Sequence, residues 1–84
     1  MKIPRDESAA SLIHRVSKLG YIQTRQTGSH IRLSRISIDK REHITIPNHN
    51  PIKIGTLAEI IRQIALQLEM DKAEVIKLLF ERDI

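Results

Sequence analysis

The chain has no cysteine, so neither a disulfide framework nor a thiolate zinc site can support its fold. It has no apolar run near the roughly 20 residues that span a membrane, and its first ten residues lack the apolar segment of a secretory signal. Its 84 residues allow one small domain, residues 1–84, with a core that supplies only a few kcal/mol of net stability. We therefore predict a soluble, cytoplasmic protein held together by apolar packing.

Aromatic residues are also scarce, with only Tyr21 and Phe80 in the chain, which argues against a base-stacking platform for single strands. Basic residues, by contrast, are concentrated in the middle. Residues 20–55 carry six Lys/Arg against two acids, whereas residues 56–84 carry four against six. This asymmetry favours a surface for a polyanion in the central segment, with ordinary solubilising charge as the alternative.

The periodicity of apolar residues predicts helices on both sides of a β region. Ser8 can cap a first helix that ends at Gly20, Thr56 and Glu59 form a capping box for a second, and Asp71 can cap a third. Between them, turn residues separate three predicted strands, roughly 21–26, 29–37 and 42–47. The order α-β-β-β-α, with an extra C-terminal helix, predicts an α+β fold in which helices cover one face of a three-stranded antiparallel sheet.

Strand parity predicts which face His30 occupies. Ile31 and Leu33 belong to the core face, so His30, Arg32 and Ser34 lie on the opposite, helix-free face. By the same rule His43 and Thr45 face away from the core in the third strand. The alternation slips near Ser34 and Arg35, because Ile36 and Ile38 have the wrong parity, and we expect a bulge or an early end to pairing there.

Three short motifs follow one another in the central segment: Gly-Ser-His at 28–30, Pro-x-His at 47–49 and Gly-Thr-Leu at 55–57. In these motifs, and from about Ser8 to Leu79, the chain resembles the HicA family of bacterial toxins. The resemblance implies a small ribonuclease (an mRNA interferase) with a double-stranded-RNA-binding-like fold. It also implies that His30, which matches the histidine of Gly-Ser-His, is catalytic, and that a HicB antitoxin neutralises the protein.

The chemistry of RNA cleavage fits these residues. RNA carries its own nucleophile, the ribose 2′-OH, and a neutral imidazole such as that of His30 can accept its proton near pH 7 without a bound metal or cofactor. Cations near the phosphate would supply further acceleration. The candidates for RNA binding are the side chains of Arg25, Arg32 and Lys53 and the backbone N–H groups of Gly28 and Ser29.

Other interpretations remain open. The arginines and Lys53 are also explained as solvated charges, and Gly28 is required by its turn whatever the function. His43 and His49 could join His30 in a zinc site, since imidazole suits zinc, but the three lack short ligand spacing. Instead of an enzyme, the protein could be a non-catalytic module that binds structured RNA through its basic face.

Overall fold

The computed structural model describes residues 3–37 and 39–80 of the chain. Three helices and three strands follow one another in the order α-β-β-β-α-α, and the strands form one antiparallel sheet in the order β1-β2-β3. The elements are α1 (Ala9–Ser17), β1 (Ile22–Thr27), β2 (His30–Ile36), β3 (Arg41–Pro47), α2 (Ile54–Leu68) and α3 (Lys72–Phe80). This architecture confirms the predicted α+β fold.

The sheet has one covered and one open face. The core face is formed by alternate residues of the two longer strands, and these are buried beneath the helices: Ile31, Leu33, Ile44 and Ile46. Their neighbours in sequence point to the other face, as the period of two in a strand requires. The antiparallel register pairs Ile31 with Ile46 and Leu33 with Ile44, so the predicted parity of both strands is confirmed.

The apolar stripes of the helices complete the core. Ser8 caps α1, because its hydroxyl accepts a hydrogen bond of 3.1 Å from the N–H of Ser11, and α3 begins directly after Asp71, both as predicted. Gly20 adopts a φ of +99° after α1, a conformation that favours glycine. The buried helical residues recur at the spacing of one helix face: Ala9, Leu12, Val16, Leu57, Ile60, Ile61, Ile64, Ala65, Val75 and Leu79. Among the described residues, no helix is long and apolar enough to cross a membrane.

A buried carboxylate joins the first and last helices. Glu7 is 4% exposed and accepts hydrogen bonds from the Ser11 hydroxyl at 2.8 Å and from Arg15 Nε at 2.9 Å. The same guanidinium donates to the Leu79 carbonyl at 2.9 Å and lies 4.9 Å from the centre of the Phe80 ring. One arginine therefore links the beginning of α1 to the end of α3.

Two predictions of local structure are wrong. The β2–β3 register runs without a shift through Ser34 and Arg35 to Ile36, so the expected bulge is absent there, and Ile38 lies outside the described residues. Arg35 occupies the core side at this end of the strand, where its Nε donates to the Leu19 carbonyl at 3.1 Å. Ile36 consequently points outward.

The second error concerns the start of α2. The helix begins at Ile54 with Lys53 at the N-cap and no side-chain capping hydrogen bond, so Thr56 lies inside the first turn. Glu59 is then the sixth residue of the helix, too far from Lys53 to complete a capping box. Its carboxylate accepts two hydrogen bonds from Arg62, at 2.9 and 2.6 Å.

Candidate functional site

His30 is the first residue of β2 and lies on the open face of the sheet. A tight turn precedes it, with Gly28 at a φ of +57°. The imidazole is exposed, and the residue lies opposite Thr27 on β1 and Pro47 on β3. The N–H of Asn48 donates to the Ser29 carbonyl at 2.6 Å, which ties the loop after β3 to the turn. Neighbouring backbone on both sides therefore fixes the position of His30.

Two arginines lie beside His30 on the same face. Arg32 follows it by two residues, about 7 Å along the strand, and is paired directly with Arg25 of β1. Arg25 reaches this face because the β1–β2 register shifts between Gln23 and Arg25. Such a bulge places one extra residue in the strand, so Thr24 and Arg25 both contact the same open surface. The sequence patterns did not predict this bulge.

Beyond Arg32 the open face forms a shallow cleft of about 660 Å³. We call it the sheet cleft; the described residues that line it are Gly20, Ile22, Thr24, Arg25, Arg32, Ser34, Ile36, Arg41 and His43. Three of these are arginines and none is acidic. Two isoleucines of the lining, Ile22 and Ile36, are 68% and 76% exposed. The sheet cleft is therefore a basic surface with an apolar rim.

A line of polar side chains crosses the sheet cleft. The Ser34 hydroxyl lies 2.7 Å from Nδ1 of His43 and 3.1 Å from the hydroxyl of Thr24. Thr24 in turn donates to the Arg32 carbonyl at 3.4 Å. Partial burial, with the positive charges of Arg32 and Arg41, lowers the pKa of His43 below its ordinary value. These surroundings therefore favour the neutral form of His43.

Sequence reasoning did not identify this pairing of Ser34 and His43. Parity predicted that both residues face away from the core, but it did not give the register between β2 and β3. Once the register is known, Ser34 lies opposite His43. The signal in the sequence was the short turn between Ile36 and Arg41, which restricts how the two strands can align. Ser37 N–H donates to the Lys40 carbonyl across that turn at 2.9 Å.

The other predicted RNA-binding residues lie outside the sheet cleft. Gly28 and Ser29 form the turn before His30, so they are its immediate neighbours. Lys53 is exposed at the N-cap of α2, after a loop that Ile52 anchors through a hydrogen bond of 2.8 Å from its N–H to the Glu7 carbonyl. The sheet thus brings together His30, Arg25 and Arg32, whereas Lys53 belongs to a different element.

Two of the three histidines considered for zinc, His30 and His43, are far apart. His30 lies opposite Pro47 and Ser34 lies opposite His43, so His30 and His43 are four residue positions apart, about 13 Å along the strands. A zinc ion binds imidazole nitrogens at about 2.0–2.1 Å, so these two residues cannot share one. Within residues 3–37 and 39–80, no group of three or more His, Asp or Glu side chains has the arrangement of a metal site.

One comparison with known proteins gives a match. The model of the family described as "HicA toxin of bacterial toxin-antitoxin" matches residues 9–66, more than half of the chain, from the start of α1 to near the end of α2. The matched segment includes the three motifs, the sheet cleft and His30, and it ends before α3. No curated protein and no solved structure matches the chain.

Proposed function

Because the chain belongs to the HicA toxin family of bacterial toxin–antitoxin systems, we propose that it is an endoribonuclease that cleaves mRNA, with His30 as its catalytic residue. The single observation that carries the proposal is the position of His30. It is an exposed imidazole on the open sheet face, beside paired arginines and directly after the turn formed by Gly28 and Ser29. RNA reaches such a site without any movement of the helices.

In the proposed reaction, neutral His30 accepts the proton of a ribose 2′-OH while that oxygen attacks the adjacent phosphorus. The P–O bond to the 5′ oxygen of the next nucleotide breaks, that oxygen takes a proton from solvent water, and His30 returns its proton to the solvent. The products are a 2′,3′-cyclic phosphate and a 5′-hydroxyl. General-base catalysis of this kind contributes about 10²–10⁴ in rate. The nucleophile belongs to the substrate, so the reaction requires neither an enzyme nucleophile nor a metal ion.

The remaining acceleration would come from the groups around the phosphate. Arg32 and Arg25 lie on the same face as His30. They are positioned to neutralise the oxygens of a phosphate bound beside that histidine. The N–H groups of Gly28 and Ser29 are available from the turn. Lys53 and the first turn of α2 provide positive charge at the end of the loop that follows β3. There they would hold a phosphate farther from His30.

The family membership also implies an antitoxin as partner. We propose a HicB-type protein with an acidic surface, because the open face is basic and charge complementarity speeds association. Coverage of His30 or of Arg32 would exclude RNA directly. Such an inhibitor does not need to alter the fold of the toxin.

The catalytic role of His30 can be tested with a labelled RNA in the presence of EDTA. We expect the wild-type protein to cleave it and His30→Ala to leave it intact. His14→Ala is the matched control, since His14 is an exposed histidine on α1, and it should cleave at the wild-type rate. Equal cleavage by wild type and His30→Ala would remove His30 from the mechanism. Salt-sensitive binding without any cleavage would instead favour a non-catalytic RNA-binding module.

A further inference from the structure

The polar line across the sheet cleft determines which nitrogen of His43 carries the proton. Its three contacts are Thr24 to the Arg32 carbonyl, Thr24 to Ser34, and Ser34 to His43 Nδ1. A carbonyl can only accept, and each hydroxyl has one proton to donate. All three contacts are satisfied when Thr24 donates to the carbonyl, Ser34 donates to Thr24, and His43 Nδ1 donates to Ser34. This arrangement leaves Nε2 of neutral His43 with a free lone pair.

Nε2 of His43 is accessible from the sheet cleft. Within the part of the chain that the structure describes, no side chain forms a hydrogen bond with it, and no buried side-chain nitrogen is left without a partner. Because His43 lines the cleft, its free acceptor therefore faces solvent there. A ligand that binds His43 in this form must offer a hydrogen-bond donor to Nε2.

The charges around this acceptor narrow the choice of ligand. Arg25 on β1, Arg32 on β2 and Arg41 on β3 contribute the cleft's charged groups, and together they favour an anion. A ligand that suits both features carries negative charge and, close to it, an uncharged donor. An RNA strand has this combination, because a ribose 2′-OH follows every phosphate and can donate a hydrogen bond. DNA has the phosphates but lacks the hydroxyl.

We propose that the sheet cleft is a ribose-reading subsite, in which the arginines bind phosphates and Nε2 of His43 accepts a hydrogen bond from a 2′-OH. The inference rests on the proposed cleavage at His30. His43 lies about 13 Å from His30 along the strands, too far to act on the same ribose, so the hydroxyl that it contacts belongs to a flanking nucleotide. His43 is thus a specificity residue that distinguishes RNA from DNA. The bound RNA crosses the open face of the sheet from His30 towards Gly20.

Single 2′-deoxy substitutions in an RNA substrate test this subsite without altering the protein. Removal of the hydroxyl at the cleaved nucleotide should abolish cleavage, because the nucleophile is lost. Removal at one flanking nucleotide should raise KM about fivefold, the effect of one hydrogen bond, and leave kcat unchanged. In His43→Phe, KM for the unmodified RNA should rise by a similar factor and the flanking substitution should have no further effect. His43→Gln, which can place an acceptor near the Nε2 position, should retain part of the preference.

A binding measurement separates this subsite from the cleavage reaction. Uncleaved RNA and DNA of the same sequence are titrated into His30→Ala, into His30→Ala with His43→Phe, and into His30→Ala with His14→Phe as the control. We expect the preference for RNA to fall about fivefold in the second protein alone, a result that supports the subsite even if the wild type cuts no RNA. An unchanged RNA preference, together with a deoxy scan that detects only the cleaved ribose, would overturn the proposal.

Discussion

His30 and His43 lie on the same open face of the sheet, four residue positions apart along the β2–β3 pairing, where they pair with Pro47 and Ser34 respectively. Their surroundings differ. His30 is exposed beside a turn, whereas His43 is half-buried and hydrogen-bonded to Ser34 at 2.7 Å. These surroundings are consistent with the two roles proposed above, proton transfer at His30 and recognition at His43. Arg32 and its cross-strand partner Arg25 lie between the two histidines.

The exposure of His30 predicts a small effect of its replacement on stability. His30→Ala should change the free energy of unfolding by no more than about 0.5 kcal/mol, as is usual for surface sites. Ile61 is 1% exposed on the core face of α2, so Ile61→Ala should lower stability by about 2–5 kcal/mol. Thermal or urea unfolding of the three proteins makes the comparison. A marked loss of stability in His30→Ala would mean that loss of its activity says nothing about catalysis.

Tyr21 predicts how stability depends on alkaline pH. Burial, followed by the nearby Glu42 carboxylate, raises the pKa of this phenol from 10.0 to about 12. The fold favours the neutral phenol, so its contribution is complete below about pH 10 and is lost as pH rises from 10 towards 12. Tyr21 is the only tyrosine, so tyrosinate absorbance reports its ionisation directly. A midpoint near 10 in the folded protein would contradict the prediction.

The phenol also donates a hydrogen bond to Gln67, whose Nε2 donates to the His43 carbonyl at 2.8 Å. Tyr21→Phe should therefore cost about 1 kcal/mol of stability at neutral pH. It should also flatten the decline in melting temperature between pH 10 and 12. If Tyr21→Phe and the wild type lose stability in parallel over that interval, another group is responsible.

The contact between Glu7 and Arg15 predicts that α1 and α3 are energetically coupled. Arg15→Ala leaves a buried carboxylate with only the Ser11 hydroxyl and should cost about 1–3 kcal/mol. When Glu7 is first replaced by Gln, the same arginine change should cost less, because no buried charge is left behind. A double-mutant cycle measured by urea unfolding gives the coupling energy. A coupling near zero would show that the ion pair does not hold the helices together.

The extent of sequence-based prediction differs between the fold and the site. Helices and strands could be predicted because the spacing of apolar residues is visible in the sequence itself. In α2, for example, the spacing of Ile60, Ile61 and Ile64 puts all three on the face that is buried in the core. The bulge before Arg25 could not, since it depends on pairing with another strand. The outward position of Ile36 follows from strict alternation, but the apolar side chain favoured a bulge that the structure lacks. Arg35 turns inward to reach the Leu19 carbonyl, a contact that no periodicity reveals.

The same limit applies to the site. His30 could be identified from its motif and its parity, and its placement on the open face is confirmed, while its catalytic role stays a prediction. The Ser34–His43 pair required the register between two strands. A one-residue change in that register would have moved His43 away from Ser34, so the sheet cleft could only be recognised from the structure.

The last prediction concerns how the antitoxin inhibits this toxin. If it covers the basic open face, hydrogen exchange of the complex should show added protection from Gly28 to Leu33, where His30 and Arg32 lie. The contrasting possibility is binding to the helical side, with inhibition transmitted through the fold, and residues 57–80 would then be protected instead. Protection confined to residues 57–80 would exclude direct occlusion. As an independent control, replacement of Arg32 by Ala should slow association and weaken its dependence on salt, because a charge that steers the encounter is lost.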